Sequence, residues 1–278
     1  MKLAGRIVLG GLRLAAILVL LFTTLLPFAW MLSTAFKQNS EILVYPPRLL
    51  PTSPTLDHFK TVFLSGTVGP FFLNSLMATV FSTALTLVIA TPAAYALAAH
   101  RFPRDAGRHI GLGFLLLRFL PPFAIVIPLF VLMRSVGLID TVASLVIVYT
   151  AFHLPLAIWM IQPAAGQIPR AISEAASVDG AGPLRTFWNV VLPLLRPSIA
   201  TAAAFCTIFS WNEFFFALIL TTTKAKTFPV LVSSFVTDSG PQWGTIAATS
   251  LVAILPIIVL CVFLQRHLVS GLTAGAVR

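Results

Sequence analysis

Six stretches of this sequence are each long and apolar enough to cross a lipid bilayer, and no other feature narrows the possible folds so far. They fall at about residues 11–34, 70–98, 110–133, 142–163, 197–221 and 245–265. A helix of about 20 apolar residues spans ~30 Å of hydrocarbon, whereas a barrel strand needs only about ten residues and alternates apolar with polar. Inside lipid the backbone must satisfy its own hydrogen bonds, so blocks of this length are helices. Only 9% of the residues are charged, against ~25% in an ordinary soluble domain, which is too few to cover a water-soluble surface. The expected fold is an all-α polytopic membrane protein with six transmembrane helices in a single domain, 1–278. The chain carries no repeat of 20–50 residues and no low-complexity tract.

The net charge of +10 would suggest nucleic acid on a soluble protein. Here the basic residues are scattered at the ends of apolar blocks, which is the pattern of membrane orientation. With the N-terminus in the cytoplasm, the internal segments hold 11 of the 18 Lys and Arg: Lys2, Arg6, Arg13, Arg101, Arg104, Arg108, Arg170, Arg185, Arg196, Arg266 and Arg278. The external segments hold six: Lys37, Arg48, Lys60, Arg134, Lys224 and Lys226. Both termini are therefore expected inside. The basic N-terminus ahead of an apolar run resembles a signal peptide, but the run continues from Leu14 to about Met31, past the 7–15 residues of a cleavable core. An uncleaved first span is the better reading. Cys206 and Cys261 both lie in apolar blocks and read as small buried hydrophobes rather than a disulfide.

Two external segments are long: 37–69, punctuated by Pro46-Pro47, Pro51 and Pro54, and 222–244, polar apart from Phe228 to Val236. The longest internal loop, 164–196, has more local detail. Pro169 suits the start of a helix through Arg170 to Val178, because its missing N–H costs nothing there. Asp179-Gly180 then supplies a turn with a left-handed stop, Pro183 begins a second short helix from Leu184 to Val191, and Leu192-Pro193 with Pro197 punctuate the return to the membrane. Ala175, Ala176, Ser177, Gly180, Ala181 and Gly182 leave little side chain in the way of a close approach, while Phe187 and Trp188 offer large apolar area to a partner. Glu174 and Asp179 could orient such a contact. From these residues alone the loop is either a rigid docking protrusion or an ordinary helix lying on the bilayer.

Glu174-Ala175-Ala176, then Asp179-Gly180-Ala181, then Leu192-Pro193 resembles the "EAA loop" of ABC importer permeases, a Glu-Ala-Ala followed after three residues by Gly and about a dozen later by Leu-Pro. Trp211-Asn212-Glu213-Phe214 and Gly271-Leu272-Thr273-Ala274-Gly275 are similar to the maltose-type (MalG-like) carbohydrate permeases, as is the six-span layout across nearly the whole chain. The resemblance implies a type I ABC importer transmembrane domain in a bacterial inner membrane, multi-pass and non-catalytic. It implies that the segment around Gly180 to Phe187, with Arg185, holds the coupling helix that fits a cleft on a separate ATPase. It also implies a second homologous permease subunit, two ATPase subunits that bind the ATP and Mg, and an external substrate-binding protein facing residues 222–244. The solute it implies is a carbohydrate: a sugar, polyol or glycoside. The C-terminal tail, Gly271 to Arg278, is expected to reach the ATPases.

Within the spans, Arg118 lies ten residues from Arg108, or ~15 Å along a helix, close to mid-membrane. An ionisable residue there costs roughly 2.5–3.5 kcal/mol to insert and should face protein or water. It either lines a translocation path or serves structurally, with Glu213 as a conceivable partner. Trp211 and Asn212 beside Glu213 offer a stacking face and hydrogen bonds that suit a sugar, and equally suit packing. Proline at positions 27, 92, 121, 122, 128, 155 and 256 marks possible kinks. No Gly-x-x-x-x-Gly-Lys-Ser/Thr occurs, so ATP hydrolysis is expected in another chain and no cofactor or metal is expected in this one. A permease for a non-carbohydrate solute is the alternative. A secondary transporter ranks far lower, since Arg118 and Glu213 are a thin supply of coupling residues.

Overall fold

The computed structural model describes residues 2–64, 66, 68–99, 106–117 and 120–273. Thirteen helices are seen among them, in the order α1 (Lys2–Phe36), α2 (Asn39–Ile42), α3 (Asp57–Leu64), α4 (Val68–Ala99), α5 (Ala106–Leu117), α6 (Pro122–Ser135), α7 (Val142–Gly166), α8 (Arg170–Val178), α9 (Pro183–Thr186), α10 (Leu192–Trp211), α11 (Phe215–Leu220), α12 (Phe228–Ser234) and α13 (Trp243–Thr273). A π turn, Phe187–Val191, joins α9 to α10. The strands β1 (Val236–Thr237) and β2 (Gly240–Pro241) make a two-residue antiparallel hairpin.

Five helical stretches among the described residues are long and apolar enough to cross a membrane: Leu9–Phe36, Val68–Ala99, Val142–Gly166, Pro183–Trp211 and Trp243–Phe263. The expected third span, 110–133, is not one helix. It is divided into α5, which ends at Leu117, and α6, which begins at Pro122. Pro121 is extended (φ −65°, ψ 133°) and Pro122 opens the new helix, so the proline pair ends one helical run and starts another. The expected fifth span, 197–221, is divided too, at Asn212 to Phe214.

The chain packs as two units, residues 1–68 with 232–255, and residues 69–231 with 256–278. In the first, the end of α1 is tied to the segment that follows it. Lys37 is fully buried; its ammonium donates to the Arg48 carbonyl and lies 4.7 Å from the centre of the Trp30 ring, so a buried charge is satisfied by a carbonyl and a π face. His58 of α3 bridges the Lys37 carbonyl (2.9 Å) and the Thr245 hydroxyl (3.4 Å). Gly244 permits this, because a Cβ there would lie 2.0–2.4 Å from three atoms of the His58 ring.

The second unit is built around α7, which is buried along more than half of its apolar length. Toward Val142, Leu145, Val148 and Tyr149 pack with Val126 and Met133 of α6 and with Phe216, Ala217 and Leu220 of α11. Toward Gly166, Ala157, Ile158, Ile161 and Ala165 pack with Ala90 and Ala94 of α4 and with Leu195, Ala202 and Cys206 of α10. The second cluster is rich in alanine because lipid tails provide no hydrophobic drive between helices, and close backbone approach must supply the attraction instead. Hydroxyls stitch the same helices: Ser82 to Ser210 (3.1 Å) and Thr150 to the Ser82 carbonyl (3.3 Å). Gly111 lets α5 approach α7 so closely that a Cβ would meet the Gln162 amide at 2.1 Å. The Gly111-Leu112-Gly113 sequence is thus a packing device at its first glycine. Cys206 is buried in this core and Cys261 is half-buried, and neither is in a disulfide.

Candidate functional site

A helix-containing segment outside the spans lies between α7 and α10. Gln167 caps α7, and Pro169, extended at φ −61° and ψ 134°, starts α8 from the cap position. The helix ends on Gly180 at φ +78°. There the Ala181 N–H donates to the Ala176 carbonyl (2.9 Å) and the Gly180 N–H to the Ser177 carbonyl (3.1 Å), the paired bonds of a Schellman stop. Gly182 and Pro183 then open α9, which packs back on α8. The result is a helix–turn–helix elbow, as the alanine and glycine spacing predicts.

Beyond α9 the chain departs from that prediction. Leu192-Pro193 and Pro197 do not interrupt the path into the membrane; helical structure runs without a break from Pro183 to Trp211. At Pro193 the π turn gives the room. A proline ring at position 193 would crowd the carbonyl four residues back and can give it no N–H. At Phe187–Val191 the bonding widens by one residue, with the Leu192 N–H donating to the Phe187 carbonyl, and the rod absorbs Pro193 without kinking apart.

The elbow has an inward and an outward side. Phe187, expected to face a partner, is half-buried and turned toward the bundle, its ring 5.8 Å from that of Tyr95 of α4. The Tyr95 hydroxyl lies 3.4 Å from Ser173 of α8, so one side chain of a membrane-spanning helix touches both arms of the elbow. Ala176 and Ala181 are half-buried. Glu174, Ala175, Asp179, Gly180 and Arg185 are exposed, together with three apolar side chains, Val178 (88%), Leu184 (77%) and Trp188 (60%). These side chains are not covered by the rest of the chain, so they are open to lipid or to a partner. Between α4 and the rod lies an apolar groove of about 570 Å³, lined by residues that include Pro92, Tyr95, Leu184, Phe187 and Trp188. Tyr95 carried no signal in the sequence, where it is one aromatic in an apolar block.

The residues expected along a translocation path divide differently. Arg118 lies outside the described residues, as does the tail beyond Thr273. Trp211 is buried, edge-on to Phe72 with ring centres 5.4 Å apart. Asn212, at the end of α10, turns its amide back to the Ile208 carbonyl (2.8 Å). The Glu213 carboxylate accepts the N–H groups of Phe216 (2.8 Å) and Ala217 (3.1 Å) and so caps α11. Trp211-Asn212-Glu213 is therefore the break at which one helix stops before the next begins, and each of the three has an intramolecular contact there.

Comparison with known proteins agrees with this architecture. Residues 90–273 match the family described as binding-protein-dependent transport system inner membrane component. The chain is 37% identical over 258 residues to the trehalose transport system permease protein SugB of Mycobacterium tuberculosis, covering 91% of this chain and 92% of that one. It is 36% identical over 262 residues to the diacetylchitobiose uptake system permease protein DasC of Streptomyces coelicolor, covering 94% of each. Its fold matches a chain of a bacterial ABC transporter involved in the import of the acidic polysaccharide alginate, with a TM-score of 0.75 and 24% identity over 93% of this chain and 96% of that one. The apolar helices, the elbow between α7 and α10 and these matches lead to one conclusion: the chain is a multi-pass inner-membrane protein of the binding-protein-dependent transport family, one of its permease components.

Proposed function

We propose that this chain is the permease subunit of an ATP-driven importer and passes a carbohydrate across the inner membrane by alternating access. The whole chain, 1–278, acts as one permease domain with six crossings and both termini in the cytoplasm. It pairs with a second, homologous permease, with two ATPase subunits that bind ATP and Mg, and with an external binding protein. The carbohydrate assignment is supported by relatives named for trehalose and diacetylchitobiose.

One observation carries the mechanism: the elbow is exposed on one side and joined to the bundle on the other. Glu174, Ala175, Asp179, Gly180, Arg185, Val178, Leu184 and Trp188 form the surface that docks on the ATPase. Phe187 works behind that surface, against Tyr95. Movement of the ATPase then enters the membrane by two routes. One is the rod from Pro183 to Trp211, which is helical throughout. The other is Tyr95, less than one turn from Pro92, where a missing backbone hydrogen bond lets α4 bend. The Glu213 break and the Pro121-Pro122 break divide two further helices and provide places where segments rotate. The test is reconstitution of the complete complex in proteoliposomes, with the sugar identified from what the partner binding protein retains. Uptake that requires ATP and the binding protein is expected. Uptake driven by an ion gradient with no ATPase would refute the reading.

A further inference from the structure

Asp140 sits in the short turn between α6 and α7 with φ +59°, a left-handed backbone that non-glycine residues seldom adopt and that Asp tolerates better than most. Its carboxylate faces four successive backbone N–H groups. Thr222 donates at 3.0 Å, Thr223 at 3.1 Å, Lys224 at 3.0 Å and Ala225 at 3.1 Å, and the Thr223 hydroxyl adds a fifth bond at 2.9 Å. Consecutive N–H groups converging in this way form a nest, a concavity that binds anions. Here the anion is a side chain of the same protein, held by a backbone that is itself tied down: the Asp140 N–H donates to the Leu220 carbonyl at 2.9 Å.

The next residues are held from another helix. The Asn74 amide of α4 donates to the carbonyls of Lys224 (2.8 Å) and Lys226 (3.0 Å), and the Ser75 hydroxyl accepts the Phe228 N–H (2.7 Å). Ala225, Thr227 and Phe228 are buried, while Thr222, Thr223 and Lys224 are exposed. A loop of polar and small residues ordinarily moves freely. This one has its backbone fixed from two sides while Thr222, Thr223 and Lys224 stay exposed, so the fixation sets the shape of the surface those three residues present.

We propose that Asp140 is a positioning residue that presets Thr222–Phe228 as a rigid receiving surface for the external binding protein. This rests on the importer reading above. A preset surface has already lost its conformational freedom before the partner arrives, so docking need not supply the ordering. Removing the carboxylate transfers that ordering to the docking step.

The informative variants are Asp140→Gly and Asp140→Asn in the assembled complex. Glycine is the residue best suited to φ +59°, so it relieves the backbone while deleting the anion; if Asp140 served only the turn, Asp140→Gly would be silent. Two measurements are needed. Hydrogen exchange at the amides of residues 222–225 should speed up by about tenfold or more in both variants. The concentration of loaded binding protein giving half-maximal ATPase stimulation should rise about tenfold, with the maximal rate changed by less than about twofold. A general loss of folding would instead lower the maximal rate and leave the half-saturating concentration in place. Unchanged exchange overturns the hold on the loop. Faster exchange with an unchanged half-saturating concentration overturns the positioning role. If the wild-type complex shows no response to any binding protein, the importer reading itself fails, while the exchange data still report the hold on residues 222–225.

Discussion

Gly180 separates the two explanations of the elbow, because the structure of the free chain says how much each substitution should disturb it. A Cβ added at Gly180 meets nothing within 4 Å, so no side chain there collides with the rest of the protein. What remains is backbone: φ is +78°, and an L-residue in the left-handed region loses about 1–2 kcal/mol. Asparagine suffers less than alanine or valine, because it visits that region comparatively often. Within the isolated permease, Gly180→Asn should therefore be nearly silent, Gly180→Asp slightly worse and Gly180→Ala worse by about 1 kcal/mol, read as melting temperature in detergent. If the elbow docks on an ATPase, the order for function is different. Asn and Asp project into the interface and Asp adds a charge that must be desolvated there, so both should lose ATPase co-purification and uptake by about tenfold or more. Alanine, smaller but more strained, should retain more function than either. The assays are co-purification of the ATPase subunits and solute uptake in proteoliposomes, with insertion of the permease checked alongside. Wild-type assembly and uptake in Gly180→Asp would refute the docking role. Loss of function that simply follows melting temperature, alanine worst, would show that the glycine is needed only as a helix stop.

Four further outcomes are expected. Tyr95→Ala should uncouple the importer, raising the ATP hydrolysed per solute imported, whereas Tyr95→Phe keeps the ring against Phe187 and stays within about twofold of wild type, because the bond it removes is a long one at 3.4 Å. Glu213→Ala removes the acceptor for two N–H groups at the start of α11 and should lower stability by about 0.5–2 kcal/mol, measured by thermal unfolding in detergent, with Glu213→Gln intermediate. Gly244→Ala should be destabilising by about 1–3 kcal/mol, since the new methyl meets a ring rather than a flexible chain end, and His58→Ala in the same protein should recover part of it. Asp140 titrates in a definite direction: partial desolvation would raise its pKa, but the N–H donors of Lys224, Thr222 and Ala225 and the Thr223 hydroxyl outweigh it and hold the group well below the usual carboxylate range. A lowered folded pKa means the stabilisation is fully present above the unfolded value, ~3.9, and is lost as pH falls through the folded one. The stability difference between wild type and Asp140→Asn should thus be flat from about pH 5 to 8 and shrink below about pH 4.

The helices were legible because their signal is local. Twenty apolar residues specify a span whatever surrounds them, and α1, α4, α7 and α13 lie where the apolar blocks do. The elbow was legible for the same reason, since Pro169, Gly180 and Pro183 each act on their own backbone. The breaks just before Pro122 and at 212–214 were not, although Pro121-Pro122 lies at one of them. Proline does not announce whether it divides a helix or is absorbed by it: Pro121-Pro122 divides one, while Pro92, Pro155, Pro193 and Pro197 all lie in continuous helical structure. At Pro193 a π turn lies beside the proline, and its first residue, Phe187, packs on Tyr95, a contact between residues 92 positions apart.

The same distinction decides what could be said of individual polar residues. Glu213 looked like a solute or ion-pair residue because a carboxylate in an apolar block has an evident need for a partner. The sequence does not say that the helix ends just before it and exposes two unbonded N–H groups that meet the need locally. Asp140 is the opposite case. It sits in a short turn where an Asp is ordinary, and nothing nearby in sequence distinguishes it. Its partners lie 82 to 85 residues away and, apart from the Thr223 hydroxyl, are backbone N–H groups, which leave no trace in residue identity. A charged residue in a membrane protein is therefore best judged by which N–H groups the fold leaves unbonded around it. By that criterion Glu213 caps the helix that follows a break, and Asp140 holds the loop that we propose a partner meets.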